Sequence, residues 1–357
     1  MKPLDDQIFN TSVSDSDIQT KTEESRRALS GMFFAALAMR KHKPVLNKKS
    51  LPLTILSGFL GSGKTTTLNH LLNTPHGMKL AVLVNDFGRI NIDAELIESK
   101  TDEMISLTNG CACCAVSGDL TKTLIELTEK EDAPDAIIIE ASGIAEPNGI
   151  AQVALVNPAI YLDGIITVLD AETLLSQVAT EYTAGTISRQ MQSADILLLN
   201  KLDIVSAETR AEVIEYLQKH YPQKSLLESE FGKVPASAIL GLSEPGKKMR
   251  ILPVEDKSHS DNFESISFTL SKPLEREALN QFFAQLPVTV IRGKGVLDVL
   301  DSTEKTTYQR VGSRWSCTNS GAWEEADKRS NIVFIGQKGL LDRAKLESQL
   351  LACCVNN

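Results

Sequence analysis

The sequence has little of what would mark a membrane protein, a secreted protein or a nucleic-acid-binding protein. No apolar run approaches the ~18 residues that a membrane span needs, and the longest one, residues 31–39, lies too far from the start for a simple signal peptide. Six cysteines, three of them in one short segment, do not fit a disulfide framework. A net charge of −9 argues against the basic face that nucleic acid requires. We therefore expect a cytoplasmic protein with no membrane and no nucleic-acid partner.

The most informative segment that is present is Gly58–Thr65, which directly follows a strand-like run, Leu51–Ser57. It matches the phosphate-binding pattern G-x-x-x-x-G-K-[ST] in full. Glycines let successive backbone N–H groups curl around phosphate oxygens, and the next helix directs its positive end at the same anion. Lys64 can reach the β- and γ-phosphates, and the Thr65 hydroxyl can bind Mg²⁺. We expect a nucleoside triphosphate to be bound by Gly58, Gly61, Ser62, Gly63, Lys64, Thr65 and Thr66.

The base preference is indicated by Asn200–Asp203, which follows the buried-strand run Ala194–Leu199. The Asp203 carboxylate can accept hydrogen bonds from the ring N–H and the amine of guanine, and adenine has no such donor pair. We expect Asn200 to brace the loop and contact the base, and the Lys201 stem to lie over its face. A solvated turn at a helix start also explains so short a match. Its place at a strand end, where open α/β sheets bind ligands, favours GTP over ATP.

Two carboxylates follow other strand-like runs. Glu140 closes the run Ala136–Ile139, and an acid in that position commonly holds Mg²⁺, while the N–H of Gly143 can reach the γ-phosphate. Asp86 follows the run Leu80–Val84 and is expected to orient the attacking water or to join the metal ligands. A helix N-cap is the alternative for each acid. The predicted catalytic residues are thus Lys64, Asp86 and Glu140.

Three thiols lie within four residues between these acids: Cys111, Cys113 and Cys114. In an extended segment Cys111 and Cys113 point the same way, and Cys114 joins them only if the backbone turns. Thiolates suit Zn²⁺ or Cu(I), and three sulfur ligands leave one position for an outside ligand. Buried inert cysteines and a redox switch are the alternatives. We favour a metal site.

The alternation of apolar runs and helical patterns predicts an α/β fold, a P-loop NTPase with a doubly wound, mostly parallel sheet, followed by a smaller α+β domain. The predicted divisions are a partly disordered extension at 1–50, the P-loop domain at 51–242, a linker at 243–262 and the second domain at 263–357. In the second domain we expect strands at 263–270 and near 288–299, 307–317 and 331–336. Helical spacing there predicts helices at 274–286 and 342–353.

Taken together, these motifs resemble the CobW-like GTPases, a family similar to the urease- and hydrogenase-associated nickel GTPases and including zinc, cobalt and nitrile hydratase metallochaperones. The resemblance covers about residues 51–357, and G-C-x-C-C is its most specific motif. In the first domain it is carried by Gly58–Thr66, Asn85–Gly88, Gly110–Cys114, Glu140–Gly143 and Asn200–Asp203. In the second it is carried by Phe268, Pro273-Leu274, Leu286-Pro287, Arg292–Gly295, Arg314-Trp315 and Val333–Gly336.

The resemblance implies GTP hydrolysis coupled to holding a divalent transition metal and handing it to a client metalloprotein. It implies that Lys64 and Thr65 contact the phosphates and Mg²⁺, with Glu140 as the acid after its strand. Asn200 and Asp203 would read guanine, and the three clustered cysteines would hold the transported metal, with zinc the expected ion. The chain departs from the family pattern at Asp86, where Glu is frequent, and at Arg89, where an acid is frequent. Its five histidines are scattered, which gives no support for metal storage on a histidine-rich loop.

Two other functions stay open from the sequence. One is a GTPase switch or assembly factor whose cysteines sense redox state, and the other is a P-loop kinase or ATPase. Asn200–Asp203 argues against the kinase or ATPase, because that segment is suited to guanine. The sequence names neither the client nor the oligomeric state, and a homo-oligomer is one of the assemblies that it allows.

Overall fold

The computed structural model describes residues 50–85, 104–107, 116–240, 263–323 and 328–355. Asp86, Cys111, Cys113 and Cys114 lie outside these residues, as do residues 1–49 of the predicted extension and the whole predicted linker. Side chains at 85, 104–107, 116–119 and 153–156 are likewise not described. No described helix is long and apolar enough to cross a membrane.

The first half of the described chain forms a seven-stranded sheet in which every pairing is parallel. The strand order is β3-β2-β4-β1-β5-β6-β7. β1 and β4–β6 are almost continuously buried, as strands are when helices cover both faces of a sheet. The predicted doubly wound fold is confirmed. The strands are β1 Leu51–Gly58, β2 Leu80–Asn85, β3 Met104–Leu107, β4 Ala136–Glu140, β5 Ile160–Asp170, β6 Ile196–Asn200 and β7 Ser225–Glu228.

Helices pack on both faces of this sheet, because successive strand residues point to opposite sides. Ile138 packs with Leu68 and Leu71 on one face, whereas Ile137 and Ile139 lie in the core on the other. A third cluster forms where three helices cover β5 and β6. The helices are α1 Lys64–Asn73, α2 Val116–Glu129, α3 Pro147–Val156, α4 Leu174–Ala179, α5 Glu181–Ser193, α6 Ala207–His220 and α7 Ala236–Ile239.

The second half is a five-stranded antiparallel sheet in the order β11-β10-β9-β12-β8, with two helices against one face. The rings of Phe283 and Tyr308 stack in its core with centroids 3.7 Å apart. This architecture confirms the predicted α+β domain. Its elements are β8 Phe263–Leu270, α8 Arg276–Gln285, β9 Val290–Leu297, β10 Glu304–Val311, β11 Arg314–Ala322, β12 Ser330–Gln337 and α9 Arg343–Ala352.

One predicted strand of this sheet is wrong. The segment near 307–317 is not a single strand but the hairpin of β10 and β11, which turns at Gly312. Gly312 has φ 55°, and a Cβ there would lie 2.1 Å from the carbonyl oxygen of Asp195 in the parallel-sheet domain. A side chain at this turn would therefore collide with the neighbouring domain as well as strain the backbone.

The two sheets are joined by arginines of the second domain that reach acids of the first. Arg314 binds Asp195 through two hydrogen bonds of 2.9 and 3.0 Å. Arg292 lies 2.7 Å from the Asp163 carboxylate, and its guanidinium also donates to the carbonyls of Ala238 and Ile239. Arg292 and Asp163 are both buried, so each charge is shielded from water and is compensated by the other.

We expect Arg292→Met to lower the free energy of unfolding by about 3–5 kcal/mol, because it leaves the Asp163 carboxylate buried without its cation. Urea unfolding followed by circular dichroism measures the change. Arg276→Met is the matched control, since Arg276 pairs with Asp301 at the same 2.7 Å distance but both side chains are exposed. An equal loss of unfolding free energy in the two variants would show that burial of the ion pair does not increase the cost of losing its cation.

Candidate functional site

The phosphate-binding loop runs from the end of β1 into α1, and its shape depends on glycine. Gly58, Gly61 and Gly63 have φ of 141°, 74° and 99°. A Cβ on Gly58 would lie 2.2 Å from the carbonyl oxygen of Val168, and one on Gly63 would lie 2.3 Å from Nδ2 of Asn200. Larger residues are therefore excluded at both positions, and the loop is held against the ends of β5 and β6.

Lys64 begins α1, and its side chain curls back over the loop. Its Nζ donates to the carbonyl oxygens of Gly58 at 3.0 Å and Phe59 at 3.1 Å. The side chain is buried, so the ammonium is fixed within the curve of the loop. A cation so placed suits phosphate oxygens, which agrees with the predicted role.

Thr65 and Glu140 come together at the next position along the sheet edge. The Thr65 hydroxyl donates to Oε1 of Glu140 at 2.8 Å, and Glu140 is only 2% exposed. A hydroxyl and a carboxylate that converge are hard oxygen ligands of the kind that Mg²⁺ prefers. The predicted magnesium ligands, separated by 75 positions in sequence, therefore fit one ion.

Gly143 lies against the phosphate loop, as a γ-phosphate contact would require. A Cβ there would come within 2.8 Å of the backbone nitrogen of Leu60. The segment is held from behind by Gln190 of α5, whose buried Nε2 donates to the carbonyls of Gly143 and Ala145, each at 3.1 Å. Sequence reasoning missed Gln190, because a lone glutamine in a helix carries no signal for a contact 47 residues away.

Asn200 connects three segments of the site. Its Nδ2 donates to the carbonyl of Ser62 at 3.1 Å, and its Oδ1 accepts from the N–H of Gly232 at 2.9 Å. Asn200 therefore braces the phosphate loop from the end of β6. Contact between Asn200 and the base stays a prediction.

Lys201 and Asp203 extend from the same strand end. Lys201 has φ 64°, and its Nζ donates to Oδ2 of Asp170 at 2.8 Å. Asp203 lies in the short 3-10 turn Leu202–Ile204 and is exposed. Its carboxylate is accessible to a base at the carboxyl edge of the sheet, where the phosphate loop also lies. Thr66, on the first turn of α1, is exposed as well.

A further loop, Ser229–Lys233, belongs to this site and was not predicted. It follows β7, and the N–H of Ser229 donates to the carbonyl of Leu199 at 2.8 Å, while Leu202 donates to the carbonyl of Ser229 at 3.3 Å. Gly232 packs closely on α1, where its Cβ would lie 2.7 Å from the nitrogen of Thr67. The Phe-Gly pair after a short apolar run was the available signal.

Asp86, Cys111, Cys113 and Cys114 lie outside the described residues, so their predicted roles stay predictions. Within the described ranges, no three His, Cys, Asp or Glu side chains are grouped closely enough to hold one metal ion. The three described cysteines pack against the core of the second domain. Burial raises the pKa of Cys317 and of Cys353 to about 11, which keeps both thiols protonated at neutral pH.

Each half of the chain matches a known family domain. Residues 52–228 match the model of the CobW/HypB/UreG nucleotide-binding domain, and residues 263–354 match the cobalamin synthesis protein CobW C-terminal domain.

Three relatives are similar along most of their length. The chain is 31% identical to Zinc-regulated GTPase metalloprotein activator 1 of Dictyostelium discoideum, covering 87% of this chain and 81% of the relative. It is 28% identical to Zinc chaperone CobW of a Sinorhizobium species, covering 86% and 98%. It is also 28% identical to Zinc chaperone YjiA of Escherichia coli K12, covering 80% and 94%. Agreement in both domains and over nearly the full length of these relatives shows that the chain belongs to the CobW/HypB/UreG family.

Proposed function

We propose that this GTPase uses GTP binding and hydrolysis to control a zinc ion held by Cys111, Cys113 and Cys114, and that it transfers the ion to a client metalloprotein. The observation that carries the nucleotide part is the pair of hydrogen bonds made by Asn200. One joins the phosphate loop to the end of β6, just before Asp203, and the other joins that strand end to the loop after β7. They support a site in which phosphates and base would take fixed positions relative to each other.

Hydrolysis of GTP needs positioning and charge stabilisation more than covalent help from the protein. Lys64 is held where the β- and γ-phosphates would lie, and Gly143 lies against the phosphate loop. Thr65 and Glu140 would hold Mg²⁺, which supplies neutralisation of the charge that develops on the phosphate oxygens. Asp86, which directly follows β2, is the candidate for orienting the attacking water.

The register of the sheet supports a cysteine segment near this site. Val84 pairs with Glu140, and Asn85 pairs with Leu107, so β2, β3 and β4 end at the same level. Neighbouring strands lie ~4.8 Å apart, which places the end of β3 roughly 10 Å from the end of β4. β3 therefore ends at Leu107 on the edge that carries Glu140, four residues before Cys111 in sequence, and this supports the proposal that the cysteine segment acts near the nucleotide.

The relatives support zinc as the transported ion, since two are named zinc chaperones and one a zinc-regulated activator. Thiolates are suitable zinc ligands, and three of them leave a position for a ligand from a client. A reducing cytoplasm would keep such thiols free. Nucleotide loading would then reposition the segment and change its hold on zinc.

We expect Asp203→Ala to abolish the preference for guanine. The variant loses two hydrogen bonds to a charged group, each worth ~1.5–3 kcal/mol, so GTP affinity should fall roughly 100-fold or more. Calorimetric titration with GTP, ITP and ATP analogues measures the preference. Asp132→Ala is the control, because Asp132 is an exposed acid that precedes β4, at the opposite end of that strand from Glu140. Preserved discrimination in Asp203→Ala would remove the guanine assignment.

Glu140→Gln should impair hydrolysis through Mg²⁺ rather than through nucleotide binding. The expected result is a fall in kcat of about 100-fold or more, with a raised Mg²⁺ requirement and nearly unchanged GDP affinity in EDTA. Turnover measured across a Mg²⁺ titration tests it. Glu146→Gln, an exposed carboxylate in the same segment, should behave as the wild type. If Glu140→Gln hydrolysed GTP normally, Glu140 would not be a magnesium ligand.

Replacing Cys111, Cys113 and Cys114 by serine should remove tightly bound zinc, which we expect at about one ion per chain in the wild type. Elemental analysis after dialysis gives the stoichiometry. The control, Cys317→Ala with Cys354→Ala, should keep its zinc, because these half-buried thiols pack against the second-domain core.

The same proteins test the coupling between zinc and nucleotide. If a GTP analogue changes zinc affinity, zinc must change the affinity for that analogue by the same factor. Equal analogue affinities with and without zinc would refute coupling. Loss of zinc from the control alone would refute the ligand set, and a wild type that binds no zinc would favour a redox-sensing role.

A further inference from the structure

Among the residues that the structure describes, Lys201 and Phe231 are the only non-glycine residues with a positive φ, 64° and 53°. Both lie beside Asn200. Lys201 follows it directly, and Phe231 precedes Gly232, whose N–H donates to Oδ1 of Asn200. Left-handed backbone is unfavourable for a bulky residue such as phenylalanine, and such outliers persist where the surrounding contacts impose them, frequently at ligand sites.

The contacts that impose this conformation are specific. Ser229 lies two residues before Phe231, and its N–H donates to the carbonyl of Leu199 in β6. The Ser229 carbonyl accepts a hydrogen bond from the N–H of Leu202. On the other side, Gly232 is fixed between Asn200 and the nitrogen of Thr67. Phe231 and Gly232 are the two central residues of a tight turn, with φ of 53° and 68°, in which the Lys233 N–H donates to the Glu230 carbonyl at 3.0 Å. The contacts of Ser229 and Gly232 anchor this turn beside Asn200.

The Phe231 ring does not pack in the protein core. Phe231 is 58% exposed, although Gly232, which follows it, is buried. The Lys233 ammonium lies 5.5 Å from the ring centroid, and no core cluster includes the ring. A left-handed backbone that exposes a large apolar ring is unfavourable unless a ligand covers the ring.

We propose that Phe231 is a stacking platform for the purine ring of the bound nucleotide. This inference rests on the proposed guanine site and adds to it a residue that contacts the face of the base, while Asp203 reads its edge. Purines present a flat π-face to which aromatic side chains bind without regard to the edge substituents. Phe231 would thus supply affinity, and Asp203 would supply selectivity.

The test uses the full-length chain with Phe231→Asn, because asparagine adopts a left-handed backbone more easily than phenylalanine and removes the ring. Calorimetry should show GDP and IDP binding weakened by the same factor, about tenfold, which is within the range of base–aromatic stacking. Binding of inorganic tripolyphosphate should be unchanged, and the thermal unfolding midpoint should not fall, because asparagine relieves the backbone strain at this position. Tyr182→Asn, at a 94% exposed ring on α5, is the control and should bind GDP normally.

A second variant, Phe231→Trp, keeps a ring and adds a reporter. Its tryptophan emission should fall when GDP binds and should not respond to tripolyphosphate. Unchanged GDP affinity in Phe231→Asn, equal weakening of tripolyphosphate, or no GDP response in Phe231→Trp would each overturn the proposal. A failure of the guanine site itself is distinguishable, since it would appear as a wild type that binds GDP and ADP equally.

Discussion

The hydrogen bonds of the Asn200 side chain are the interaction on which the rest of the site depends. One amide reaches back 138 residues to the phosphate loop and forward 32 residues to the loop after β7. It is buried, so neither bond is exposed to competition from bulk water. Because Gly63 lies so close to the amide, even a methyl group there would displace it. The position of the Asn200 amide therefore requires glycine at position 63, although the two residues belong to different sequence motifs.

Strand β5 contributes to the nucleotide site and also holds the second domain. β5 ends at Asp170, which binds Lys201, and it carries Asp163, which binds Arg292. Asp163 and Asp170 are roughly 23 Å apart at the rise of a β-strand. The second domain is thus attached to the sheet well away from the phosphates. Arg292 also binds the carbonyls of Ala238 and Ile239 in α7, which follows the Ser229–Lys233 loop, so the second domain contacts the nucleotide site both along β5 and through this helix.

Local patterns predicted much of the site, since a phosphate loop and the polar ends of apolar strands are encoded in consecutive residues. Gly58–Thr65, Glu140 and Asn200 are placed together as expected. The contacts that sequence reasoning missed are long-range. Gln190 and Arg292 look like ordinary helix and strand residues, and their roles depend on partners 47 and 129 residues away. The hairpin at Gly312 was missed for the same reason, because the atom that excludes a side chain there belongs to the other domain.

The protonation state of the described cysteine thiols bears on where a metal ion that prefers sulfur ligands would bind. Thiolates are the metal-binding form of cysteine, and burial in an apolar core disfavours the charge. Cys317 and Cys353 are in that situation, which raises the pKa of each to about 11. The end of β1 and β4 in the first domain carries instead a lysine and a magnesium-type oxygen pair, Lys64 with Thr65 and Glu140. The physical argument for metal binding therefore favours Cys111, Cys113 and Cys114 over the cysteines of the second domain.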